Sequence, residues 1–123
     1  MPSQSPSMEE IMAQIRRFVE ERDWAKYHTP STLAISAAVE VGELLELFQW
    51  RSDEDVKSSL AKGEYREAMA DEIADVMIYL LRLCDTVGIS PSTAVINKIA
   101  KNARKYPASE SREKDPRRIR KSS

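Results

Sequence analysis

The sequence predicts an all-α protein, a helical bundle of four to five helices that associates into an oligomer. Three observations carry this. Glycine is scarce at three residues in 123 and the β-branched residues are scattered, so no strand pattern emerges. Apolar residues recur at helical spacing through most of the chain. Helix start and stop signals divide it at regular intervals.

Residues 1–7 are a polar lead rich in Pro and Ser. Ser7 with Glu10 forms a capping box, which predicts a helix from Met8 to about Trp24 with Ile11, Ile15, Phe18 and Val19 on its apolar stripe. Lys26 to Pro30 reads as a connection, and Ser31 caps a second helix reaching about Trp50. Ser52 or Asp53 opens a short third helix that closes near Gly63. A long fourth helix fits Tyr65 to Val87, with Gly88 as its stop. Ser90-Pro91 supplies N-cap and first-turn proline for a fifth helix that Pro107 ends.

The predicted core is a bundle of helices two, four and five with helix one packed on it. Helix four is apolar nearly all round, through Ile73, Val76, Met77, Ile78, Leu80, Leu81 and Leu83. Such a helix needs partners on every side, more than one short chain supplies, which predicts a homo-oligomer. From Ala108 the chain is charge, Ser and Pro, with six basic and three acidic residues; residues 108–123 read as a disordered, solvated tail or a weak contact for a polyanion.

Composition sets further bounds. At 123 residues the chain makes one domain, here residues 8–107. A net charge of −1 implies no bulk attraction to nucleic acid or membrane. No apolar run approaches membrane-spanning length and no signal peptide is visible, so the cytoplasm is the expected compartment. The single Cys84 excludes an internal disulfide and, within Leu80–Cys84, reads as core filler.

Two acidic pairs carry the chemistry: Glu40-Val41-Gly42-Glu43 and Glu72-Ile73-Ala74-Asp75. Residues three apart on a helix share a face. Each segment therefore aims two carboxylates the same way from an otherwise apolar helix. Carboxylates crowded at a core repel one another and resist desolvation unless a cation sits among them. A hard divalent ion with oxygen ligands answers this, Mg²⁺ first and Mn²⁺ as a substitute. The competing reading is plain surface charge on amphipathic helices. Tyr79 extends the second acidic stripe with a phenol. Glu46 lies at the edge of the first as outer ligand, base or surface residue, and Asp71 points away as surface.

Helix five sets Ile96, Ile99, Ala100 and Ala103 against an opposite face of Lys98, Lys101, Asn102 and Lys105. That second face is either a solvated lysine face or a counter-charge for phosphate oxygens. Trp24 and Trp50 end two helices and serve either as core or as stacking surfaces for a nucleobase. His28, the only histidine, reads as a loop or cap residue. No Glu-x-x-His motif, Gly-rich phosphate loop or Cys/His zinc spacing is present, and no nucleophile–His pair is evident. An enzyme built on these residues would use activated water.

Glu-x-x-Glu, 28 intervening residues and then Glu-x-x-Asp resemble the all-α nucleoside triphosphate pyrophosphatases of the MazG type. The resemblance is closer to the dCTP pyrophosphatase branch. It is carried also by Glu21-Arg22-Asp23-Trp24, by Glu46-Leu47-Phe48-Gln49-Trp50, by Asp71 through Leu80, and by Asn97-Lys98 with Arg104-Lys105-Tyr106-Pro107. It implies Mg²⁺-dependent hydrolysis of a deoxynucleoside triphosphate, dCTP or a modified dCTP foremost, to monophosphate and pyrophosphate, as part of nucleotide-pool sanitation. It implies Glu40, Glu43, Glu72 and Asp75 as metal ligands and catalytic carboxylates. It also implies Trp24 and Trp50 around the base from different subunits of a dimer or tetramer, Tyr79, Lys98 and Asn102 on sugar or phosphates, and Lys105 and Tyr106 completing the pocket. Ile15 departs from the branch, whose animal members carry histidine there, and so leaves the base open. The alternatives are the same fold acting on dUTP or another nucleotide, and a non-catalytic helical scaffold.

Overall fold

The computed structural model describes residues 4–112 and 115. Among them the chain is helical throughout: α1 (Met8–Glu21), a 3₁₀ turn (Ala25–Tyr27), α2 (Pro30–Glu46), α3 (Asp53–Leu60), α4 (Gly63–Val87), α5 (Pro91–Lys105) and a one-turn α6 (Ala108–Ser111). The helix starts follow local hydrogen-bonding chemistry. Ser7 accepts from the Glu10 N–H while the Glu10 side chain accepts from the Ser7 N–H, and Ser52 with Asp55 repeats the box for α3. Ser90 accepts from the Thr93 N–H, with Pro91 in the first turn of α5. Gly88 ends α4 at φ 74°, a left-handed conformation that costs glycine nothing.

Several boundaries differ from those predicted. Thr29, not Ser31, caps α2, because Pro30 suits the first helical position and leaves the preceding hydroxyl as the cap. Helix α1 stops at Glu21 rather than Trp24, since Asp23 turns left-handed at φ 57°. Helix α2 stops at Glu46 rather than Trp50, which itself takes φ 63° outside the helix. Gly63 opens α4 instead of closing α3. Ala108–Ser111, assigned to the tail by composition, forms α6; the rest of the predicted disordered segment beyond Arg112 lies outside the described residues save Asp115.

The chain divides into two compact units between Ile89 and Ser90. In the first, α4 is the spine, and α2 packs along it most extensively, with α1 and α3 also against it. The buried positions are Val19 of α1, Leu33 and Ala37 of α2, and Leu81 and Arg82 of α4, with Leu33 only 1% exposed. Helix α5, predicted in the core with α2 and α4, belongs instead to the second unit, with α6. Its Val95, Ile96 and Ile99 are exposed, so its own unit does not bury its apolar stripe.

A polar chain fastens α1 and the 3₁₀ segment to α4. Arg16 donates to both oxygens of Asp85, Nε to Oδ2 at 2.9 Å and Nη2 to Oδ1 at 2.7 Å. Asp85 also accepts from Arg82 Nη1 at 3.2 Å, and Arg82 Nε donates to His28 Nδ1 at 3.1 Å. The Arg16 guanidinium, aided by Arg82, holds the Asp85 carboxyl below its ordinary range against the effect of burial. His28 is therefore a loop residue with an assigned partner.

Candidate active site

On α2 the buried positions Leu33 and Ala37 are four apart, and Glu40 and Leu44 continue that stripe, both half-buried. On α4 the half-buried stripe runs Tyr65, Met69, Glu72, Val76 and Tyr79. Packing α2 on α4 joins the two stripes, so the acidic residues meet. Oxygens of Glu40, Glu43 and Glu72 lie within 4.8 Å of one another. Oε2 of Glu40 and Oε2 of Glu72 are buried without a hydrogen-bond partner, while Glu43 remains exposed.

The electrostatics follow from this crowding. Burial pushes the Glu40 carboxyl above its ordinary value, and the charges of Glu43, Asp75 and Glu72 push it further. Burial likewise raises Glu72, with Glu43, Asp75 and Asp71 adding to it, while the neighbouring Glu40 carboxyl works the other way. Asp75 lies outside the closest cluster yet acts on both half-buried glutamates. A buried carboxylate oxygen ordinarily has a donor. Two such oxygens without one, in an all-oxygen set of like charges, match what a hard divalent cation binds. The residues present fit such an ion.

The remaining predicted site residues fall in two groups. Tyr79 is half-buried on α4, one turn beyond Asp75. Trp24 packs edge-to-face on Phe18, with ring centroids 5.7 Å apart, and stays 45% exposed. Trp50 is 94% exposed, so it is not core. Glu46 and Asp71 are exposed. Lys98, Asn102, Lys105 and Tyr106 belong to the second unit; Lys98 and Asn102 are exposed, and the half-buried Lys105 holds its Nζ 5.5 Å from the Tyr106 ring centroid. Absent from the sequence reading is Arg82, 8% exposed. Its signal was present in Leu80-Leu81-Arg82-Leu83: a lone charge inside an apolar run requires a partner, here His28 and Asp85.

Fold and cluster together define a class, an all-α protein whose two longest helices bring acidic pairs together into a candidate divalent-metal centre. The MazG-like family model matches residues 35–116, and the chain belongs to that family. The chain is similar to dCTP pyrophosphatase 1 of Rattus norvegicus, 38% identical over 110 residues that cover 89% of this chain and 65% of that protein. Against dCTP pyrophosphatase 1 of Homo sapiens it is 38% identical over 106 residues, 86% of this chain and 62% of that protein. It thus spans a little under two thirds of these relatives' length, 65% and 62%. Among solved structures it is similar to a pyrophosphatase from Archaeoglobus fulgidus DSM 4304, with TM-score 0.76 and 46% identity over 87% of this chain and 98% of that one.

Proposed function

We propose that this chain hydrolyses a deoxynucleoside triphosphate, dCTP or a modified dCTP foremost, to the monophosphate and pyrophosphate. The observation that carries the reading is the set of three carboxylates within 4.8 Å, two of them with buried oxygens that lack a donor. The names of its relatives support the reaction class.

Glu40, Glu43, Glu72 and Asp75 would hold Mg²⁺, for which Mn²⁺ would substitute. When bound, the metal supplies charge neutralisation at the phosphates and lowers the pKa of water. A glutamate of the cluster orients the attacking water in line with the α-phosphorus and takes its proton. Pyrophosphate leaves, with Lys98 and Lys105 balancing its charge. Tyr79, Asn102 and Tyr106 contact sugar or phosphate, and Trp24 and Trp50 stack on the base.

The active unit is a homo-oligomer, a dimer or tetramer, with the two tryptophans of one pocket from different subunits. Its support is the apolar surface left open on one chain: Ile35, Val39 and Leu45 on α2, and Ile73, Met77 and Leu80 on α4. Among the described residues no helix is long and apolar enough to cross a membrane, and Cys84 is a free thiol. A cytoplasmic role in clearing unwanted or modified deoxynucleotides agrees with both.

A pyrophosphate-release assay with Mg²⁺ across the deoxynucleoside and ribonucleoside triphosphates tests the reading. Release is expected foremost from dCTP or its modified forms. Release from another nucleotide alone reassigns the pocket, and silence across the panel refutes the activity.

A further inference from the structure

The turn that carries Trp50 is held from both following helices. The Tyr65 hydroxyl on α4 donates a 2.6 Å hydrogen bond to the carbonyl of Leu47, the C-cap of α2. That carbonyl is among those a helix end leaves without an intrahelical donor. The Arg51 guanidinium lies over the Tyr65 ring, 4.8 Å from its centroid, and its Nη1 donates to Ser59 Oγ on α3 at 3.0 Å. Leu47 and Arg51 bracket the turn that holds Trp50, and both are tied to Tyr65, which is half-buried. Between them Trp50 takes φ 63° and is 94% exposed. A left-handed backbone is costly for a large side chain and persists only where the surroundings over-determine it. The indole has almost no packing of its own to do so.

We propose that Tyr65, assisted by Arg51, is a positioning residue for Trp50, fixing the 47–51 turn so that the indole is presented to a nucleobase before the nucleotide arrives. The inference rests on the base-stacking role given to Trp50 above. Presenting the ring in advance lowers the ordering cost of binding, so the clamp acts on affinity for the nucleoside part of the ligand. It leaves the bond-breaking step alone. Nothing in the periodicity of α4 signals this, since Tyr65 reads there as one more inward residue.

The test uses the full chain with Tyr65→Phe, which keeps the ring beneath Arg51 and removes only the hydroxyl. KM for the hydrolysed nucleotide should rise about two- to ten-fold, the cost of ordering one aromatic side chain on binding. kcat should hold, and inhibition by inorganic pyrophosphate, which has no base, should be unchanged. In a Trp50→Ala background Tyr65→Phe should add nothing further, because both changes remove the same contact. The clamp is refuted if KM does not move, if it rises equally in the Trp50→Ala background, or if pyrophosphate binding weakens in step. Should the wild-type chain hydrolyse no nucleotide, the functional reading falls by itself. The clamp is then judged from the ligand-free protein labelled with fluorotryptophan. There, Tyr65→Phe must alter the Trp50 resonance and spare that of Trp24, and an unaltered Trp50 resonance overturns it.

Discussion

Replacing Trp50 by glycine should stabilise this protein while damaging nucleotide binding. Trp50 sits at φ 63° and is 94% exposed, so its side chain contributes almost no burial within the chain to offset its backbone. A left-handed conformation costs a residue with a β-carbon about 1–2 kcal/mol. Glycine escapes that cost but surrenders about 0.5–1 kcal/mol through the freedom of its unfolded state. The net gain is then about 0.5–1 kcal/mol, or an increase of roughly 2–4 °C in Tm for a domain of this size. Trp50→Ala is the control: it removes the same indole, including any contact with a second copy, and retains the strain. Thermal melts of the two variants side by side isolate the backbone contribution. Loss of base stacking, worth about 1–3 kcal/mol, should raise KM by roughly five-fold or more in both. A glycine variant no more stable than the alanine variant would refute the strain argument. A glycine variant with unchanged KM would remove Trp50 from the pocket.

Three further outcomes follow from the carboxylates and the histidine. Mg²⁺ should raise the Tm of the wild-type protein in a concentration-dependent way, by mass action on the folded state, and should leave the Glu40→Gln/Glu72→Gln double variant unmoved. In the absence of metal, Glu72→Gln should melt above the wild type, because it removes one of the like charges crowded around Glu40; a lower Tm would count against the crowding. Burial first, and then the Arg82 charge, hold His28 below its ordinary value of 6.5. The folded state therefore binds fewer protons there than the unfolded chain, and this group should cost stability as pH falls below 6.5 towards its folded value, with no contribution well above it. Urea midpoints from pH 8 to 5 should fall more with acid, or rise less, in wild type than in His28→Gln, the raised Glu40 and Glu72 contributing equally to both; parallel curves would mean that His28 protonates freely in the folded state.

Much of this architecture is legible in the sequence because capping is local chemistry. Ser7 with Glu10, Ser52 with Asp55, Ser90 before Pro91, and Gly88 each announce a boundary within four residues of it. The ends of α1 and α2 are not legible for the converse reason. Asp23 and Trp50 make left-handed turns without glycine, and tryptophan gives no compositional sign of one. The meeting of Glu40, Glu43 and Glu72 is foreshadowed by spacing, since carboxylates on two apolar stripes converge once the stripes pack. The links from Tyr65 to Leu47 and from Arg82 to His28 span 18 and 54 residues, and no periodicity connects such pairs. The membership of α5 in a second unit is likewise decided by contacts, because its amphipathic pattern serves equally well in either place.

The most direct measurement is Mg²⁺-dependent pyrophosphate release by wild type and Glu43→Gln at equal concentration, with circular dichroism as the check on folding. Glu43 is exposed and its charge crowds Glu40 and Glu72, so its amide replacement should leave the helical signal intact and should not lower the Tm without metal. Turnover should be abolished in that folded variant. Retention of most of the activity would contradict the carboxylate cluster as the site of metal binding and hydrolysis.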